Sequence, residues 1–176
     1  KIAEEMKLVD LVIGLTKGNI THTKARKDAQ KEGVHVIALP ESHLDNFFLA
    51  DGWNCDFEKT KPKIERLAQA LTDADRARVH TEDGTDIEMS IKGRNGRALT
   101  GYGNSIDVSA GYCLESSLAP VEGTANGTIM VNTSVPGVCL IKEKNIEIKI
   151  KDGLATEING GKEADAFRNL LKSFND

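Results

Sequence analysis

The sequence predicts an α/β protein: an N-terminal βαβ open-sheet part followed by a β-rich part with hairpins and a C-terminal helix. Two observations carry that assignment. Early in the chain, two apolar β-branched runs flank a polar helical stretch at βαβ spacing. From Asp75 onward the hydrophobic period changes from helical to two, with Asp-Gly pairs at the turns.

In chain order, residues 2–8 form a short helical stretch, and residues 9–16, VDLVIGLT, form a strand apolar enough to be covered on both faces. Lys17, Gly18 and Asn19 make a turn, Thr21 is placed to cap a polar helix, and Gly33 ends that helix. Residues 34–39, VHVIAL, supply the second buried strand. Beyond Pro40, residues 41–53 are expected to pack Leu44, Phe47, Phe48 and Trp53 against the sheet end. Asp56 opens a longer helix with Phe57, Ile64, Leu67, Ala68 and Leu71 at helical spacing and Pro62 near its start. The domain boundary is set at Ala74: 1–74 as the α/β part and 75–176 as the β-rich part.

In the second part, residues 76–82 and 85–92 flank Asp83-Gly84 as a hairpin in which Ile87, Met89 and Ile91 alternate with polar residues. Residues 93–109 are expected to be a long polar loop. Ile146, Ile148 and Ile150 alternate with Glu147, Lys149 and Lys151, turn at Asp152-Gly153 and return through Leu154, Thr156 and Ile158. After Gly160-Gly161 an amphipathic helix places Phe167, Leu170, Leu171 and Phe174 on one stripe.

Composition narrows function by exclusion. With 176 residues, 39% of them hydrophobic, the chain can bury an ordinary core. A net charge of -4 with interspersed signs gives no footprint for nucleic acid or anionic lipid. No apolar run approaches the roughly 20 residues that span a bilayer, and residues 1–10 lack a signal-peptide core, so a cytoplasmic location is expected. On that expectation, the N-x-S/T triplets at Asn19, Asn126 and Asn132 are chance matches. Three widely spaced cysteines, Cys55, Cys113 and Cys139, allow neither a disulfide framework nor a CxxC zinc pair, and reduced thiols are expected.

Catalytic constellations are equally sparse. The four histidines, His22, His35, His43 and His80, lie in the first half; there is no H-E-x-x-H and no G-x-S-x-G elbow, so no catalytic residue is assigned. His22 and His35 are expected to be solvated or packed rather than ligating. Asp83, Asn95 and Asp152 precede glycine and belong to turns. GYGN at 101–104 is a lone G-x-G with no helix after it and is given no nucleotide role. What remains is the stretch 112–131, YCLESSLAPVEGTANGTIMV, which joins Glu115 to a Pro- and Gly-punctuated turn and a strand. Flanking strands would hold that carboxylate beside a cleft, as a metal ligand requires.

The run APVEGTANGTIMV at 119–131, with Glu115 four positions before its first residue, resembles a segment of the M29 family of metallo-aminopeptidases, the leucyl aminopeptidase or aminopeptidase T group. Three more blocks agree in order: VIGLTKGNITHTKARKDA at 12–29, GTDIEMSIKGR at 84–94, and residues 150–176. The resemblance implies a cytoplasmic hydrolase, homodimeric, acting on peptide substrates with a pair of divalent ions (Zn, Co or Mn), and it makes Glu115 a metal ligand. In that family the remaining ligands follow a segment like SFND, so this chain resembles the central part of the family's protein and as given is expected to be inactive. A non-haem Fe(II) enzyme, 2,5-dihydroxypyridine dioxygenase, shares the fold family and is the alternative; it is set apart by lacking a Glu at the position of Glu115. A non-catalytic binding or assembly module is the third reading.

Overall fold

The structure, a computed structural model, describes residues 1–16, 18–40, 55–102 and 114–174. The expected packing of Leu44, Phe47, Phe48 and Trp53 lies outside those residues. The chain divides into two compact units, one of residues 1–71 and 95–117, the other of residues 72–94 and 118–176. The fold is α/β, with the βαβ start, the two hairpins and the C-terminal helix all in place. Among the described residues no helix is long and apolar enough to cross a membrane.

In the first unit, a short helix α1 (Ile2–Glu5) and a 3-10 turn lead into β1 (Leu11–Thr16), α2 (Lys24–Lys31) and β2 (His35–Pro40). The two strands run parallel, with Val12 opposite Val36 and Leu15 opposite Leu39. The helix is capped by Thr23, two residues after the Thr21 that the sequence suggested: its side chain accepts from the Arg26 amide. At the other end Gly33 donates to the Gln30 carbonyl at 3.0 Å and Val34 to the Ala29 carbonyl at 3.2 Å, the Schellman pair that turns the chain back into β2. Met6, Ala29, Val34 and Val36 form the core, with Val12, Ile20 and Ala25 against it. The expectation that β1 is covered on both faces is corrected. Val12 and Gly14 face α2, but Leu11, Ile13 and Leu15 on the other face are 46%, 54% and 57% exposed. A two-stranded sheet with a helix on one side leaves every second residue outward.

The long helix α3 (Phe57–Asp73) begins where Asp56 accepts from the Lys59 amide at 3.0 Å. Pro62 sits in its second turn, removing the donor for the Glu58 carbonyl on an exposed face, where water can replace it. Of the expected stripe, Phe57, Ile64, Ala68 and Leu71 are at least partly covered, whereas Leu67 is 53% exposed.

The second unit is built on one antiparallel sheet, in the order β11-β10-β7-β4-β3. Its strands are β3 (Arg76–His80), β4 (Asp86–Ser90), β7 (Asn126–Val131), β10 (Ile146–Lys151) and β11 (Leu154–Asn159). Both Asp-Gly pairs turn as expected: Asp152 and Gly153 have φ of 50° and 78°, the left-handed geometry of a two-residue hairpin whose last pair is Lys151 with Leu154. One face carries Ile87, Ile129, Ile148 and Ile158. The other carries paired charges, with Arg78 opposite Glu88 and next to Asp86 across the ladder. β7 joins the hairpins, lying between β4 and β10, and Gly127 stands opposite both Ile87 and Ile150. A Cβ on Gly127 would lie 2.2 Å from the Asp86 carbonyl oxygen, and its φ of 140° disfavours any side chain.

The final helix, α4 (Lys162–Lys172), is held by Arg168, which donates to the Ile158 carbonyl of β11 and to Asp165. The expected stripe is covered only in part. Phe167 and Leu170 are half-buried, Leu171 and Phe174 are 36% and 75% exposed, and the buried residues are Glu163 and Ala164 in the first turn.

Two expectations test this account. Gly127→Ala should cost about 2–4 kcal/mol by urea denaturation, because both the clash and the backbone angle oppose it; a loss below about 0.5 kcal/mol would show that β7 and β4 separate freely. Arg78 Nε and Nη2 each bond Asp86 at 2.7 Å, which holds the Asp86 carboxyl below the usual aspartate range. A carboxyl depressed on folding stabilises above its unfolded pKa, and that contribution fades as pH falls through the folded value. NMR titration should therefore show the Asp86 midpoint rising in Arg78→Met.

Candidate functional site

Glu115 opens β6 (Glu115–Ser117), a three-residue strand paired antiparallel with β5 (Arg97–Leu99), itself inside the stretch expected to be loop. Side chains alternate along β6. Ser116 turns inward and donates to the Ile64 carbonyl of α3 at 2.7 Å, so Glu115 and Ser117 point to the opposite face. There Glu115 is exposed, and the Ser117 hydroxyl donates to its Oε1 at 3.1 Å. This places Glu115 in the first unit, with residues 95–117.

Among the described residues no three of His, Cys, Asp and Glu come together in a group that could hold a metal ion. His22, His35 and His80 are each exposed, and His43 lies outside the described residues. Cys55 is a half-buried free thiol 3.3 Å from the Thr60 hydroxyl, while Cys113 and the Cys139 side chain are outside the description. Many remaining carboxylates are occupied. Arg94 holds Glu122, Lys24 holds Asp28, and Lys149 and Asn159 bond Glu147. In each of the three the carboxyl is pulled below its ordinary range: Glu122 chiefly by a backbone hydrogen bond, Asp28 and Glu147 chiefly by the lysine.

Glu115 is not among the lining residues of three cavities bordered by described residues. One of about 230 Å³ lies between the 3-10 turn and the end of α2. Two of about 490 Å³ flank the start of α4, one bordered by Met130, Glu147 and Asn159 and the other by Leu140, Lys142, Lys162, Glu163 and Ala166. Sequence reading passes over Glu163, which looks like any acidic residue in the first turn of an amphipathic helix. Only burial distinguishes it, at 4% exposed.

A parallel βαβ start followed by an antiparallel meander and a final helix defines an α/β scaffold, and such a scaffold does not by itself specify a chemistry. Over residues 1–176 the chain matches the NicX family, described as 2,5-dihydroxypyridine 5,6-dioxygenase, and it belongs to that family. No curated protein matches the chain. Among solved structures, a 2,5-dihydroxypyridine dioxygenase from Pseudomonas putida KT2440 has a similar fold, with a TM-score of 0.80 at 19% identity. The match covers 99% of this chain and 49% of that one, so the chain spans about half the length of its structural neighbour.

These findings overturn the resemblance to M29 leucyl aminopeptidases and with it the hydrolase, aminopeptidase and metalloprotease reading. The physical reason is that the blocks carrying that resemblance are scaffold. They fall on β1 and α2, on β4, on β7 with its preceding turn, and on the β10–β11 hairpin with α4. Residues chosen for strand pairing and turns are shared across a fold whatever chemistry it supports.

A single exposed carboxylate holds a divalent ion poorly. Calorimetric titration of this chain with Mn(II) should give a Kd weaker than about 0.1 mM, unchanged in Glu115→Gln; micromolar binding lost in that variant would establish Glu115 as one of several converging ligands.

Proposed function

We propose that this protein acts as a cytoplasmic, homodimeric, ring-cleaving dioxygenase on 2,5-dihydroxypyridine or a closely related hydroxypyridine, using non-haem Fe(II). The observation that carries the proposal is the family match along all 176 residues; the shared fold of the Pseudomonas putida enzyme supports it. The activity is proposed for the whole dioxygenase fold, of which this chain matches about half.

A divalent metal suits such chemistry, and Fe(II) is the finer choice because O2-activating non-haem sites combine imidazole and carboxylate ligands with open positions for substrate and oxygen. The described residues do not fit such a centre, since no three of His, Cys, Asp and Glu among them come together. No step is therefore routed through the metal. In this reading the described residues supply the two-unit scaffold; Glu115 departs from the pattern the sequence reading expected of the dioxygenase, and as a proposed ligand it would need converging partners from outside them.

The test uses protein carrying the whole fold, loaded anaerobically with Fe(II) and mixed with 2,5-dihydroxypyridine under ¹⁸O2. The expected result is O2 uptake equal to substrate loss, with both labelled atoms in the organic product. Uptake no greater than in the metal-free blank, or one labelled atom per product, would overturn the proposal.

A further inference from the structure

The groove bordered by Leu140, Lys142, Lys162, Glu163 and Ala166, all of the second unit, has a volume of about 490 Å³. Glu163, one of its lining residues, is 4% exposed, and its buried Oε2 has no hydrogen-bond partner among the described residues. A carboxylate that merely complements the helix dipole sits in water, as Asp165 does one residue past the buried Ala164. An ionised carboxylate removed from water is stable only when a donor or cation reaches it.

The other charges at the groove show what kind of donor fits. Lys162 is already taken: its ammonium bonds Glu143, and that contact, reinforced by the Glu163 charge, keeps it above the usual lysine range. Lys142 is exposed and has no partner among the described residues. The groove thus presents Glu163, whose Oε2 accepts no hydrogen bond among the described residues, and Lys142, which has no partner among them. The same groove is lined by the apolar Ala166 and the 64% exposed Leu140. At the start of α4, Gly161 caps the helix without a side-chain acceptor; the Ala164 and Asp165 amides donate to its carbonyl at 3.0 and 3.2 Å, which leaves the Lys162 and Glu163 amides at the positive end. A simple amine is repelled by two lysines, and a simple carboxylate is repelled by Glu163. A molecule carrying both charges satisfies both.

We propose that this groove binds a small zwitterion of the α-amino-acid class with an aliphatic side chain. Its ammonium donates to Glu163 Oε2, its carboxylate meets Lys142 and the Lys162 and Glu163 amides that open α4, and its aliphatic part lies on Leu140 and Ala166. This site is separate from the proposed dioxygenase chemistry and does not depend on it.

The test is an NMR titration of the isotope-labelled chain with L-leucine, 3-methylbutylamine, which lacks the carboxylate, and 4-methylpentanoate, which lacks the ammonium. Leucine should shift the amides of residues 140–142 and 162–166 saturably, binding about tenfold tighter than either analogue. Glu163→Gln should remove that advantage over 4-methylpentanoate, and Lys142→Met should remove the advantage over the amine. Should Glu163→Gln lose its native spectrum, the exposed Lys142→Met and the two analogues decide the matter. No saturable shift up to about 10 mM, where even millimolar affinity would show, overturns the proposal. So does leucine binding no tighter than the analogues, or binding equally well to both folded variants.

Discussion

The second unit depends on a backbone contact that tolerates no side chain. At Gly127 the central strand β7 is pressed between β4 and β10, with the Asp86 carbonyl where a Cβ would stand. Two hairpins, each specified by its own Asp-Gly turn, are local structures that an isolated chain forms only marginally. Their union through β7 makes one five-stranded sheet with an apolar face, and α4 is tied to the β11 edge of that sheet by Arg168.

The same sheet explains why most charges in this unit perform no chemistry. On the polar face Arg78 grips Asp86 with two hydrogen bonds, Arg76 meets Glu88 at 3.0 Å, and Lys149 lies between Glu147 and the Thr128 hydroxyl. Cross-strand pairs of opposite sign contribute little individually in water, but they leave few charges seeking a partner. Against that background Glu163 differs in kind: it is buried while its neighbours are wet, and it borders a groove while they border solvent.

The chain belongs to the 2,5-dihydroxypyridine dioxygenase family by its match along all 176 residues, whereas most of the motifs legible in its sequence are scaffold. The run 119–131 is a turn and a strand whose roles are to cross the sheet and pair with β4 and β10. Glu115 carried the whole metal argument, yet its neighbour Ser116 decides where it points. Once Ser116 bonds the Ile64 carbonyl, alternation turns Glu115 outward.

What the sequence by itself determined are the properties set by neighbours a few residues apart: the βαβ start, the Schellman stop at Gly33, both Asp-Gly hairpins and the existence of the last helix. Each rests on dihedral preference and short-range periodicity, which act before any distant contact forms. Tertiary structure alone decided which apolar faces are covered, as the outward row of Leu11, Ile13 and Leu15 shows, and which acid loses its water. Glu115 and Glu163 are the same residue type in unremarkable local contexts, and only residues brought close by folding leave one wet and bury the other. Desolvation depends on what surrounds a group in space, and no spacing along the chain records it.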